Sequence, residues 1–138
     1  MGISRATIIA AIDRELGKGM IEWQAEATFP DGGVYVDGAT PIFGDPPERT
    51  IRLFGPAGNV TGLELFDPPA ATVKDARLSI AILNAIRPAA ATWLRTTIKG
   101  AIHEEPLQSR IFDGISVGWS RHWTIFDGSY AFLELTGA

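Results

Sequence analysis

The chain contains no cysteine. Disulfides, thiolate nucleophiles, zinc–thiolate centres and iron–sulfur clusters are therefore excluded. That absence assigns no redox compartment, because such a chain is stable in either setting. Histidine is scarce as well: His103 and His122 are the only two, so a catalytic metal would need carboxylates gathered from distant loops. Basic runs are missing. Twelve Lys and Arg are scattered from Arg5 to Arg121 against sixteen Asp and Glu, giving a net charge of −4 and no electrostatic footprint for nucleic acid. No apolar stretch reaches the length of about 18 residues that a membrane span requires. In MGISRATIIAAIDRELG the apolar run is short and broken by Asp13, Arg14 and Glu15, unlike a secretory signal. The resulting expectation is a protein of the cytoplasm, or of something assembled there, with neither nucleic acid nor membrane as partner.

What is present points to a single domain over 1–138. The chain is 46% hydrophobic and 20% charged, an ordinary globular balance, and it is long enough to bury a core without staples. Ser4 is placed to cap a first helix with Ile8, Ile12 and Leu16 on one stripe and Gly17 as its stop. MIEWQAEATF alternates Ile21, Trp23, Ala25, Ala27 and Phe29 with polar residues, which predicts one strand of an antiparallel sheet. Val34–Val36 reads as a short strand ended by Asp37-Gly38. The segment 39–49, with Pro41, Gly44, Pro46 and Pro47, reads as a loop. Ile51 and Leu53 around Arg52, and Leu63 and Leu65 around Glu64, predict two strands joined by GPAGNVTG. Between Val73 and Ile86 nearly every residue is apolar apart from Lys74, Asp75, Arg77, Ser79 and Asn84. A helix with so little polar surface must be covered on most sides, by the sheet or by another subunit. Pro88 ends it, and a second helix with Ala90, Trp93, Leu94, Thr97 and Ile98 on one face runs to Gly100. Two separate hairpins follow: 110–112 with 115–119 about Asp113-Gly114, and 123–126 with 130–135 about Asp127-Gly128. The fold class expected is α+β: an antiparallel sheet with an N-terminal helix and a central helical segment packed on it, and C-terminal β-hairpins.

Several motifs carry the chemistry of known sites on paper. Gly114-Ile-Ser116-Val-Gly118 matches G-x-S-x-G, but a nucleophile elbow needs a strand before the serine and a helix after it. Here a hairpin turn precedes Ser116, alternating Ile115, Val117 and Trp119 surround it, and no histidine lies downstream of Asp127. Ser116 is read as decoration on a strand. GPAGNVTG lacks the Gly-Lys-Ser/Thr ending of a phosphate loop and leads into a strand, so no helix N-terminus faces an anion. Asn59-Val60-Thr61 is a glycosylation sequon by pattern, with no export signal to support its use. His103-Glu104-Glu105 could ligate a metal but is not H-E-x-x-H, since residue 107 is Leu. Asp31, Asp37, Asp113 and Asp127 each precede glycine, a turn preference rather than a carboxylate pair.

The polar-aromatic group Trp119, Arg121, His122 and Trp123 is the candidate interface or ligand face. On a strand, Trp119, Arg121 and Trp123 share a side, and arginine stacks on indoles. The reading favoured is that the tryptophans are core, with the Arg121 head in solvent; an interface comes next and a small ligand last.

The order of elements resembles the tail-terminator and neck proteins of tailed bacteriophages. The resemblance lies in SRATIIAAIDRELGKG at the start, the meander containing FPDGGVYVDGA, the long central helix and the two final strands. It spans most of the chain and rests on pattern; the break at Pro88 and the proline-rich loop at 39–49 depart from it. The resemblance implies a ring-forming subunit of the virion, assembled in the host cytoplasm, whose partners are itself and other structural proteins, with no cofactor and no catalytic residues. Four Trp and seven Phe in so small a chain independently suit a homo-oligomer that buries aromatic surface between copies. Two other readings stay open: a carbohydrate- or receptor-binding module using the Trp119/Arg121/Trp123 face, and a small α+β-roll enzyme with His103 or His122 as base.

Overall fold

Ser4 opens the first helix as its sequence position requires. Its backbone is extended and its hydroxyl accepts from the Thr7 N–H at 3.2 Å, capping α1 (Arg5–Leu16). Gly17, at φ 101°, closes the helix and donates to the Asp13 carbonyl. Ile8, Ala11 and Ile12 are the buried stripe. The structure is a computed structural model that describes residues 1–40, 49–67, 76–100, 105–124 and 128–137, of which 99, 100, 105, 106, 122–124 and 128–130 are described by backbone alone.

Among the described residues, eight strands form one antiparallel sheet. In chain order they are β1 (Glu22–Trp23), β2 (Ala27–Thr28), β3 (Val34–Ala39), β4 (Thr50–Phe54), β5 (Gly62–Asp67), β6 (Glu105–Phe112), β7 (Ile115–Thr124) and β8 (Gly128–Gly137). Their spatial order is β1-β3-β4-β5-β8-β7-β6, with β2 beside β1 on β3. Two meanders, β3-β4-β5 and β6-β7-β8, therefore meet where β5 pairs with β8. Between them the chain forms α2 (Arg77–Ile86) and α3 (Pro88–Gly100). The fold is α+β, as the sequence pattern leads one to expect.

Period two sorts each strand into two faces. Val36, Ile51, Leu53, Leu63, Leu65, Leu133, Leu135, Val117 and Trp119 point to one side and join Ile8, Ile12, Leu78, Ile82, Leu83, Leu94 and Ile98 in a single core. All three described helices supply that core. The apolar α2 lies against α1 on one side, α3 on another and β5 beneath, so the chain itself covers the helix. Its exposed positions are Arg77 and Asn84. Pro88 starts α3 directly after Arg87, whose guanidinium donates to the Ile86 carbonyl at 2.7 Å and to the Asp113 carbonyl at 3.2 Å, fastening the interhelical break to the β6–β7 turn.

Three expectations need correction. The alternating segment 21–29 is not one strand. It leaves β3 after Gln24, whose N–H still donates to the Asp37 carbonyl at 2.8 Å. Ala25 and Glu26 are exposed and Glu26 accepts from Arg5 at 2.6 Å; alanine at 25 has too little surface to hold the segment down. Next, Asp37-Gly38 does not end β3 but lies inside it. Arg52 neutralises Asp37, and a Cβ at Gly38 would come within 2.7 Å of the Ile21 and Trp23 side chains, so the glycine is there for close approach. Finally, Ile115–Trp119 and Trp123-Thr124 belong to one ten-residue strand. The first hairpin turn is as expected, with Asp113 at φ 46° and Gly114 at φ 80°, the signature of type I′. Asp127, the loop from 41 to 48, the start of the helical region from 68 to 75, and His103-Glu104 lie outside the described residues.

Candidate functional site

Ser116 sits two residues after the turn, on the face of β7 away from the helices, and the chain continues as strand to Thr124. No kink and no helix follow it, so the geometry of a nucleophile elbow is absent. His122 is on the same strand six residues on, about 20 Å away at the usual rise of about 3.3 Å per residue, which puts the pair beyond bonding reach. The loop GPAGNVTG is occupied by the chain's own first residues. Gly2 N–H donates to Asn59 Oδ1 at 3.0 Å, Val60 N–H to the Ile3 carbonyl at 2.7 Å, and Arg5 N–H to the Ala57 carbonyl at 2.9 Å. Although most of the loop is exposed, these polar groups are engaged in holding the start of the fold together. Among the described residues no group of three or more His, Asp and Glu gathers as a metal site would require.

The group Trp119, Arg121, His122 and Trp123 divides by depth. Trp119 is fully buried against the helices, which is the core reading. Arg121 follows on the same side of β7 and is only 5% exposed, so its head is not in solvent as expected. It stands in register with Ala131 and, one strand further, with Asp67, also buried; the small Ala131 leaves room for charge on this end of the core face. Asp67 accepts from Arg49 Nε at 2.6 Å. The side chains of His122 and Trp123 lie outside the described residues. Neither Trp119 nor Arg121 presents a ring or a guanidinium to a ligand.

The surface that does present such groups is the other face of the sheet, which no described helix covers. A charged row crosses it in register: Asp37, Arg52, Glu64, Glu134 on β3, β4, β5 and β8. On one side of this row Tyr35 and Phe54 pair across β3 and β4, and Phe29 packs on both, at 4.3 Å and 6.0 Å between ring centroids. On the other side Phe66 and Phe132 pair across β5 and β8. All five rings are half-buried. Arg52 joins the two kinds of group. Its Nε and Nη2 donate to the two oxygens of Asp37 at 2.7 and 2.9 Å, and its guanidinium lies 4.3 Å from the Tyr35 centroid. The hydrogen bond to Asp37 is the main cause that raises the Arg52 pKa above its ordinary value, against a smaller lowering by burial; Arg52 is cationic at any working pH. Gln24, Asp37, Arg52, Glu64, Phe66 and Phe132 border a shallow depression of about 390 Å³.

Sequence reasoning missed this face because it read Ile51, Leu53, Leu63 and Leu65 for their alternation and stopped there. The signal was Phe54 and Phe66, each continuing an apolar strand on the wrong parity. A strand apolar at consecutive positions has something to bury on both sides. Comparison with protein-family models, with curated proteins and with solved structures finds no match to this chain.

Proposed function

We propose that the protein is a non-enzymatic assembly subunit that buries the helix-free face of its sheet against another protein. Its most specific form is a tail or neck component of a tailed-bacteriophage virion, assembled in the host cytoplasm, with further copies of itself and other structural proteins as partners. One observation carries the reading. Five aromatic rings lie half-buried on a sheet face that the chain's own described helices leave uncovered, and aromatics are the residues enriched where proteins meet proteins. The buried central helix no longer contributes to the argument, because α1, α3 and β5 cover it.

The charged row between the aromatic patches suits a protein partner, since it gives the contact an orientation as well as an apolar area. Native mass spectrometry tests the reading. A particle heavier than the 14.9 kDa chain is expected, and replacing Phe66 by Glu is expected to shrink it. A chain that stays single at micromolar concentration overturns the proposal.

A further inference from the structure

The two edges of the sheet are unlike. At one, the two-residue strands β1 and β2 divide the outer side of β3 between them, and short broken strands are how proteins blunt an edge. At the other lies β6, eight residues long and, among the described residues, paired only with β7. It also carries two exposed large hydrophobic residues, Leu107 at 55% and Ile111 at 66%.

The direction of the free backbone groups on β6 follows from the turn. In a two-residue type I′ hairpin the closing pair, here Phe112 and Ile115, is the hydrogen-bonded one. Alternation then turns the N–H and C=O of Phe112, Arg110 and Gln108 toward β7 and those of Ser109 and Ile111 outward. The pairing with β7 is regular from Gln108 to Phe112 and shifts register between Glu105 and Gln108. Leu107, at the end of the regular stretch, keeps the side of Ser109 and Ile111, since its Cδ1 lies where a Cβ on Gly118 would meet it at 3.2 Å.

We propose that a second copy of this chain pairs with that edge, β6 antiparallel to β6, about a two-fold axis at Ser109. This names one self-contact of the assembly subunit described above and rests on that reading. The register is chosen by chemistry. Centred on Ser109, the axis sets Leu107 opposite Ile111 of the second copy, and Ile111 opposite its Leu107, so both exposed apolar side chains are covered on one face. On the other face Arg110 meets Gln108. Centred one residue later, Arg110 would face its own copy, and like charges directly opposed destabilise a ladder. Centred on Ile111, Leu107 would run past the turn with nothing to cover it. Only the Ser109 register satisfies the outward groups, the apolar pair and the charge together, and the result is one sheet continuous across two chains.

The test uses the full chain, native mass spectrometry on dilution, and two variants. Ser109→Pro removes an outward N–H and leaves the bonds to β7 intact; Ile111→Lys places charge on an exposed side chain. The wild type is expected to pass through a species of twice the 14.9 kDa chain mass, and both variants, with unchanged circular dichroism, are expected to lose it. Hydrogen exchange gives a second readout that needs no variant. Ser109 and Ile111 amides should be protected in the pair and lose that protection on dilution, while Gln108 and Arg110 stay protected throughout. A two-chain species that persists in both variants, or a larger particle that releases only single chains, overturns the edge pairing and leaves the assembly reading standing. A wild type that is always single overturns both.

Discussion

Arg52 grips Asp37 across the β3–β4 ladder with two hydrogen bonds, 2.7 and 2.9 Å long. The pair forms the β3 end of the charged row on the open sheet face, and it also explains why an Asp-Gly step continues a strand instead of turning the chain. Both side chains remain more than a third exposed, so the pair orients more than it stabilises. Replacing Arg52 by Lys keeps the charge but not the two-pronged geometry or the stacking on Tyr35. The expected loss is about 0.5–1 kcal/mol of stability in urea titration. A loss beyond about 3 kcal/mol would mean that the pair is buried by something more than this chain.

The ion pair of Arg49 with Asp67 behaves differently. Asp67 is 1% exposed on its side chain and Arg49 is 21% exposed. Replacing Arg49 by Met leaves a buried carboxylate short of one donor, and the expected cost is about 2–3 kcal/mol, below the full penalty because Asp67 keeps other interactions. Denaturant midpoints with unchanged slopes would show it.

Gly38 tolerates no side chain. A Cβ there would meet Ile21 Cγ2 and the Trp23 ring at 2.7 Å, and both are packed on the core. Gly38→Ala is expected to cost about 1–3 kcal/mol and to detach β1 from β3. Faster amide exchange at Gln24, whose N–H donates to the Asp37 carbonyl at 2.8 Å, with α1 unaffected, is the signature to look for.

Trp119 and Ser116 are three residues apart on β7 and face opposite sides, and their variants should separate cleanly. Trp119→Ala opens a large cavity in the core and is expected to cost about 3–5 kcal/mol. Ser116→Ala is expected to change stability by about 0.5 kcal/mol or less, and Ser116 in the intact protein should not react with a fluorophosphonate. Covalent labelling of Ser116, detected by mass spectrometry of the tryptic peptide, would reopen the hydrolase reading.

The local grammar of the chain was legible where a few neighbouring residues settle the matter. Ser4 and Gly17 bound α1, Asp113-Gly114 makes a type I′ turn, and Pro88 divides the helical region, each for a reason contained within four residues. Parity along a strand was legible as well, which placed Ile51, Leu53, Leu63 and Leu65 in the core. The segment 21–29 failed that reasoning because alternation states which face is apolar, not whether a neighbouring strand is there to bond the whole run. Asp37 was read as a turn residue because Arg52, its reason for being in a strand, comes fifteen residues later.

From the sequence alone came the α+β class, the caps and turns, the absence of thiol chemistry and the doubt cast on a serine nucleophile, because propensity, parity and composition are local properties. Tertiary structure alone decided that Trp119 is core, that the apolar helix is covered by its own chain, that five aromatic rings share an open face, and that β6 is an edge. Those depend on which strands lie side by side, and that order is settled by how two meanders close over one shared core rather than by any single stretch of residues.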